Sequence, residues 1–228
     1  MNLRLIQYSM TCLCAGFLIA TAANAAEVRG EISLIEKGKP AGREEYRDLV
    51  VFFVPQEGAP AAPLAEPVEM RMESKSFLPR VLPITKGSEV RFPNFDPILH
   101  NAFSTSANNS FDLGFYSGGE SKSADFDNPG LVRVYCNVHH SMVGYILVLN
   151  TSHYSGAGNN GGFSLRDLPA LKGELYIWHP RAKSVKRAID LTEQQTHSLR
   201  FDMALTKRRV PQHLNKNGKS YRRSRARR

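Results

Sequence analysis

The chain has 228 residues, enough for one large domain or two small ones, and 42% of them are hydrophobic, which excludes a largely disordered protein. Its formal net charge of +9 is unevenly distributed. Ten of the 30 Lys and Arg residues lie between Thr206 and Arg228 and one more is Arg4, so the other nineteen are nearly balanced by 21 Asp and Glu residues. The basic character therefore belongs to the tail and not to the folded part.

Residues 1–25 have the pattern of a secretory signal peptide. Arg4 provides a positive start, the run from Thr11 to Ala23 is apolar, and small residues precede a predicted cleavage site after Ala25. The alternative is an uncleaved anchor, which the pattern disfavours because a spanning helix needs roughly 20 apolar residues. We therefore expect a periplasmic or secreted protein.

The cysteine content narrows the chemistry of the exported part. Cys12 and Cys14 would leave with the signal peptide, so that Cys136 remains as the one thiol. A lone thiol in an oxidising compartment has no disulfide partner in its own chain. It is then paired between chains, buried and inert, or bound to a metal.

The body of the chain has the pattern of an all-β protein. Residues 28–35 alternate between apolar and polar, and residues 49–54 form a continuous apolar run, typical of a strand buried on both faces. Many short strands joined by Gly and Pro turns favour a sandwich or barrel. After a Pro- and Ala-rich loop, further β-type segments are predicted at 69–72, 89–92, 111–116, 123–126, 131–135 and 143–149.

The glycine-rich segment 155–162 is flexible by composition and is interpreted as a boundary. The β-type runs after it predict a second, smaller β-sandwich-like module, and the basic end has the composition of a disordered tail. The predicted division is a signal peptide (1–25), a domain that includes the N-terminal strands (26–150), a second module (151–206) and a basic disordered tail (207–228).

One short loop contains an unusual set of side chains. Cys136, His139 and Met142 follow one another at intervals of three residues between two predicted strands. Thiolate and thioether suit Cu(I), imidazole suits both copper oxidation states, and a His₂Cys plane with a weak axial Met is the blue-copper arrangement. The second His must come from a neighbouring strand, and His100, which follows a strand and a Pro-containing turn, is the candidate.

These motifs resemble the cupredoxin family. The similarity covers roughly residues 68–149: a Val-Arg-Phe-Pro-Asn strand precedes His100, and Tyr-Cys-x-x-His-x-x-Met-x-Gly is similar to the short ligand loop of amicyanins. The resemblance implies a Greek-key β-sandwich with one type 1 copper. It also implies site roles: strong ligands at His100, Cys136 and His139, an axial ligand at Met142, and Asn94 and Asn101 as braces of the ligand loops.

The same residues also have simpler interpretations. A single Cys beside apolar residues is more often an inert core thiol, but Cys, His and Met within seven residues favour a metal site. His140 adjoins His139, and only the family spacing selects His139 as the ligand. His140 either tunes the site or is merely solvated.

Residues 162–205 resemble the transthyretin-like or carboxypeptidase-regulatory β-sandwich, on the pattern Gly-x-Phe-x-Leu, Leu-Pro and a following Gly strand. Such modules imply a structural or binding role without catalysis. Trp178 is interpreted as a core residue rather than a sugar-stacking edge. Chains that join these two parts often bear the label methylamine utilization protein, which suggests a partner without identifying it.

The preferred function is single-electron transfer between a periplasmic redox donor and acceptor, by a carrier rather than an enzyme. The sequence contains no nucleophile elbow and no phosphate-binding glycine loop. The alternatives are copper binding or delivery, and a non-redox surface-interaction module with a vestigial copper site. The tail suits contact with an anionic surface, and no nucleic acid is expected.

Overall fold

The computed structural model describes residues 26–193, 196–207 and Asn215. This part is almost entirely β-structure, which confirms the all-β sandwich class, and its one 3₁₀ helix spans Arg43–Asp48. Within the described residues, no helix is long and apolar enough to cross a membrane. The predicted signal peptide and nearly all of the predicted tail lie outside these residues. The strands are β1 (Ala26–Glu36), β2 (Lys39–Pro40), β3 (Val50–Pro55), β4 (Val68–Glu69), β5 (Arg71–Glu73), β6 (Ser76–Leu78), β7 (Val81–Thr85), β8 (Ser88–Pro93), β9 (Phe103–Ser104), β10 (Phe111–Asp112), β11 (Ser121–Phe126), β12 (Gly130–Tyr135), β13 (Val143–Leu149), β14 (Tyr154–Ser155), β15 (Gly162–Leu168), β16 (Lys172–Trp178), β17 (Val185–Asp190) and β18 (Thr196–Leu205).

The strands form two β-sandwiches, one inserted into the other. The host sandwich comprises β1–β3 and β14–β18, and the inserted sandwich comprises β4–β13. In the host, a sheet of order β15-β1-β18, with β2 beside β1, faces a sheet of order β14-β3-β16-β17. In the insert, a sheet of order β10-β9-β12-β13-β7 faces one of order β11-β8-β4, and β5 and β6 form a separate hairpin.

The pairing of the N-terminal strands differs from the division expected from the sequence. Strand β1 pairs with β15 and β18, and β3 pairs with β14 and β16. Residues 26–55 therefore belong with the C-terminal strands, and not in one domain with the strands at 68–149. The reason is that a period-2 pattern identifies a strand and its buried face but does not specify which strand lies beside it.

The glycine-rich segment is an ordered connection between β14 and β15 rather than a flexible boundary. Gly161 donates its N–H to Gly158 and accepts from the N–H of Ile32, at 2.8 and 2.9 Å. Its φ is +86°, and a Cβ there would collide with the carbonyl oxygen of Ile32. Glycine is needed at this position because both the backbone conformation and the close approach to β1 exclude a side chain.

Each sandwich has its own apolar core, built from the inward-facing side chains of its two sheets. The cores are continuous within each sandwich because alternate residues of every long strand point inward. Fully buried members include Val28, Ile32, Phe53 and Ile177 in the host, and Phe92, Val132, Val134 and Ile146 in the insert.

A third apolar cluster joins the two sandwiches. Val50 and Trp178 of the host pack with Val81, Tyr145 and Leu147 of the insert. The rings of Tyr145 and Trp178 meet edge to face, with their centroids 5.8 Å apart. The inserted sandwich is therefore packed on its host, and Trp178 lies in the contact between them.

Candidate metal centre

Two neighbouring segments of the inserted sandwich position the predicted strong ligands. His100 forms an isolated antiparallel bridge with Tyr116, and its side chain is fully buried. Cys136 directly follows β12, in which Val132 and Val134 point into the core. Because side chains two residues apart share a face of a strand, the Cys136 side chain also points inward and is fully buried.

The loop between β12 and β13 positions the other two predicted ligands, His139 and Met142. The N–H of Met142 donates to the carbonyl oxygen of His139 at 2.8 Å, which closes a tight turn. His139 is half-buried, whereas Met142 is only 1% exposed and belongs to the same core cluster as Cys136. His140 is exposed. The loop therefore presents His139 at the surface and directs Met142 back into the core.

The side chains of His100, Cys136 and His139 converge. Nδ1 of His100 lies 3.2 Å from Nδ1 of His139 and 3.6 Å from Sγ of Cys136, and one ring nitrogen of each His and Sγ of Cys136 lie within 4.8 Å of one another. Two nitrogen ligands of a tetrahedral ion, each about 2.0 Å from it, are about 3.3 Å apart, and a thiolate at about 2.3 Å would be about 3.5 Å from each nitrogen. The two separations measured from Nδ1 of His100 therefore fit one metal ion.

The two predicted bracing residues lie against these segments. Oδ1 of Asn101 accepts the N–H of Asn137, the residue after the thiol, at 2.7 Å. Nδ2 of Asn94 donates to the carbonyl oxygens of Ile98 and Tyr116 at 2.9 and 3.2 Å. Asn101 thus connects the two segments that contain the predicted ligands, and Asn94 shapes the loop that leads to His100.

Asp96 is a contact of the site that the sequence analysis missed. Its Oδ2 lies 2.8 Å from Nε2 of His100. Because an ionised carboxylate only accepts hydrogen bonds, we assign the ring proton to Nε2, which leaves the lone pair of Nδ1 facing Cys136 and His139. The sequence feature that could have indicated this contact was the spacing, because Asp96 precedes His100 by four residues. An acidic residue in a loop is too common to single out before its geometry is known.

The electrostatics of the site favour metal binding. Burial raises the pKa of Asp96, but hydrogen bonds from the main chain of Lys75, from His100 and from the main chain of Ser74 together lower it below its ordinary value of 3.8. Burial lowers the pKa of His139, and electrostatic interactions with His100, when that ring is protonated, and with Lys75 lower it further, against the opposing charge of Asp96. Asp96 therefore stays ionised, and His139 stays neutral and able to bind an ion.

Exposed apolar side chains are concentrated in the segments around the site. The side chains flanking the predicted ligands include Leu99, beside His100, and Val138, beside His139, which are 53% and 44% exposed. Phe95, in the same loop as Asp96, is 60% exposed. We call this set the apolar rim, and its members are Phe95, Ile98, Leu99, Phe115 and Val138.

A second group of possible ligands lies where the sandwiches meet. Carboxylate oxygens of Glu45 and Asp48 lie within 4.8 Å of a ring nitrogen of His179, and all three residues are buried. However, Arg80 pairs with Asp48, and Nη1 of Arg181 lies 2.7 Å from Oε1 of Glu45. Since these arginines already balance both carboxylates, the cluster is an ionic contact of the fold rather than a metal site.

A buried His, a buried Cys and a half-buried His gathered in a β-sandwich define a protein with a candidate mononuclear metal site having two nitrogen ligands and one sulfur ligand.

Solved structures similar to part of this chain are copper proteins. A copper-containing nitrite reductase from Thermus scotoductus SA-01 is 28% identical over 43% of this chain and 26% of its own, with a TM-score of 0.37. A purple cupredoxin from Nitrosopumilus maritimus is 22% identical over 36% of this chain and 98% of its own, with a TM-score of 0.32. A methionine-to-alanine variant of amicyanin with Cu(I) is 15% identical over 43% of this chain and 97% of its own, with a TM-score of 0.35.

The matched region spans only about a quarter of the length of the nitrite reductase. No family model and no curated protein matches the chain. At these TM-scores the function has to be inferred from the geometry of the site.

Proposed function

We propose that this protein is a type 1 copper protein that carries single electrons between two redox proteins. The observation that supports it is the convergence of Nδ1 of His100, Sγ of Cys136 and Nδ1 of His139. Met142, in the same loop, is the proposed axial ligand. A bound copper would supply a one-electron couple, since thiolate and thioether suit Cu(I) and imidazole suits both oxidation states.

The neighbouring residues favour a carrier because they hold the ligands before metal arrives. Asn101 ties the loop after Cys136 to the segment of His100, and Oδ2 of Asp96 lies 2.8 Å from Nε2 of His100. Cys136 directly follows β12 and lies in the apolar core. A ligand set fixed by its surroundings changes little between oxidation states, which favours electron transfer over metal release.

The apolar rim supports contact with a redox partner. Exposed apolar side chains that cluster on a surface commonly mark a protein interaction site. Here they flank the segments that contain the ligands, including the half-buried His139. We propose that the donor and acceptor dock on this surface, that the protein acts in the periplasm or outside the cell after cleavage behind Ala25, and that the basic tail contacts an anionic surface.

The resemblance of residues 162–205 to transthyretin-like modules, and the methylamine utilization label, stay predictions. For the host sandwich we propose a structural or binding role beside the redox site. Its packing on the insert through Trp178 and Tyr145 supports a fixed rather than a swinging attachment.

Copper reconstitution of the mature protein, residues 26–228, tests the proposal. We expect one copper per chain, an intense visible absorption from charge transfer between Cys136 and Cu(II), and reversible one-electron reduction. Cys136→Ser should remove the absorption and retain the β-sheet circular dichroism spectrum. The matched control is His140→Gln, which changes an exposed neighbour and should keep the absorption.

Two results would contradict the proposal. One is copper-loaded protein without the charge-transfer absorption. The other is transfer of copper to an acceptor protein without any electron exchange, which would support copper delivery instead.

A further inference from the structure

A hairpin outside both ligand-bearing segments reaches the metal centre through the loop before His100. Strands β5 and β6 pair with each other and are joined by the two-residue turn Ser74–Lys75. Strand β5 lies beside that loop, where the N–H of Phe95 donates to the carbonyl oxygen of Met72 at 2.8 Å. The tip of the hairpin is thereby held next to Asp96.

The turn has a backbone conformation that its residues do not favour. The φ angles of Ser74 and Lys75 are +53° and +55°. Two consecutive positive φ angles are typical of a type I′ turn, in which Asn and Gly are preferred. Residues with a Cβ destabilise this conformation. A contact outside the hairpin is therefore needed to stabilise the turn.

Asp96 makes that contact and also binds His100. Its Oδ1 accepts the N–H of Ser74 at 2.7 Å, and its Oδ2 accepts the N–H of Lys75 at 2.8 Å. The same Oδ2 lies 2.8 Å from Nε2 of His100. Three N–H donors thus meet two oxygens, and an ionised carboxylate serves all three because both of its oxygens only accept hydrogen bonds.

We propose that Asp96 is the positioning residue of His100, and that the Ser74–Lys75 turn fixes Asp96. This inference rests on the proposed function, in which His100 is a copper ligand. The carboxylate keeps the ring proton on Nε2, directs the Nδ1 lone pair towards Cys136, and makes the imidazole a stronger electron donor. The hairpin therefore controls the orientation of a ligand with which it shares no direct hydrogen bond.

The first test needs no metal. Nitrogen NMR of ¹⁵N-histidine-labelled, metal-free mature protein reports which ring nitrogen of His100 carries the proton. We expect the Nε2–H form in the natural protein and a mixture of forms in Asp96→Ala. Asp96→Asn should give an intermediate result, because a carboxamide has one accepting oxygen for three donors.

The second test uses copper-loaded protein. Asp96→Ala should weaken copper binding by roughly 10–100-fold, as is usual when the outer partner of a ligating His is removed. It should also raise the reduction potential, because the lost negative charge stabilised Cu(II) more than Cu(I). The control is Asp190→Ala in the host sandwich, where Asp190 accepts hydrogen bonds from Thr192. This variant should leave both quantities unchanged.

The contribution of the turn is tested separately. Inserting one Gly between Ser74 and Lys75 moves the N–H donors away while retaining Asp96. It should change the ring protonation of His100 and the copper affinity in the same direction as Asp96→Ala. Ser74→Gly removes a neutral side chain but keeps both main-chain donors and the charge of Lys75, so the ring protonation of His100 and the copper affinity should stay as in the natural protein.

Unchanged ring protonation and copper affinity in Asp96→Ala would overturn the inference. If that variant does not fold, Asp96→Asn decides by the same two readouts. A changed His100 tautomer in a protein that binds no copper would uphold the positioning role and reject the copper function. Wild-type readouts in the glycine-insertion variant would overturn the role of the hairpin.

Discussion

Replacing Arg80 by Met tests whether the ionic contact between the sandwiches stabilises the whole chain. Arg80 belongs to the insert and pairs with Asp48 of the host, and its Nη2 also lies 3.7 Å from Oε2 of Glu45. Met retains much of the apolar stem and removes the charge. Removing one partner of a buried ion pair commonly costs about 3–5 kcal/mol, because the other charge stays buried and uncompensated.

Two features of the structure reduce this figure. The Arg80 side chain is 27% exposed, so water screens part of its charge. Glu45 also keeps its contact with Arg181 at 2.7 Å. The main loss falls on Asp48, whose side chain is only 8% exposed. We therefore expect Arg80→Met to lower the free energy of unfolding by about 2–3 kcal/mol.

Urea denaturation of the mature protein measures this loss. The fluorescence of Trp178, the one Trp of the chain, reports on the contact between the sandwiches, and circular dichroism reports on both. The urea midpoint should fall in Arg80→Met. Adding Asp48→Asn should recover part of the loss, because no uncompensated carboxylate then remains at that position.

The matched control is Arg91→Met. Arg91 pairs with Glu89 at 3.9 Å, with side chains 53% and 38% exposed. Exposed pairs contribute about 0–1 kcal/mol, so this variant should lose little. A loss in Arg80→Met no greater than in Arg91→Met would refute the reasoning, and so would a double variant whose loss equals the sum of the single losses.

Three further predictions concern single positions. Asn101→Ala removes the acceptor of the Asn137 N–H and should cost about 1–2 kcal/mol in urea denaturation, with faster copper release in stopped-flow measurements. Gly161→Ala should cost more than about 2 kcal/mol, because φ is +86° and the new Cβ meets a main-chain oxygen, whereas Gly38→Ala, with φ +76° and open space around it, should cost only about 1 kcal/mol. Burial lowers the pKa of His153 below its ordinary value of 6.5, so the unfolded chain binds the proton more readily, and stability should fall as pH drops from above 6.5 towards the folded pKa. In His153→Gln this part of the pH dependence should disappear from thermal unfolding curves.

Each of these predictions has an outcome that contradicts it. Unchanged copper release in Asn101→Ala would mean that the link to Asn137 does not hold the loop. Equal losses in Gly161→Ala and Gly38→Ala would show that the segment yields to a side chain. For His153→Gln, a pH profile identical to that of the natural protein would rule out this histidine as the source of the slope.

The sequence could predict that three of the proposed ligands lie close together. Cys136, His139 and Met142 lie within seven residues, so their proximity follows from covalent spacing alone. The alternation along β12 also places Cys136 on the buried face together with Val134. His100 required the family resemblance, because nothing local shows that a residue 36 positions earlier lies beside the thiol.

The contacts that hold the site and join the sandwiches were not predictable in this way. Asp96 contributes through the turn at Ser74 and Lys75, which became relevant only once the hairpin was seen beside the loop. Arg80 and Asp48 are 32 residues apart and lie in different sandwiches. Their pairing depends on how two sheets are placed relative to each other. The residue pattern within one β-strand contains no information about that placement.

The parallel pairing of β1 with β18 affects the order in which the parts of the molecule can fold. Strand β1 is the first of the described strands, yet its partners β15 and β18 end at Leu168 and Leu205, so its pairing waits until most of the described chain has been synthesised. The insert needs only the strands between Val68 and Leu149. Pairing across so long a loop is entropically slow, whereas the shorter closures within the insert are faster. We therefore expect the inserted sandwich to form first and to serve as the surface on which the flanking strands assemble.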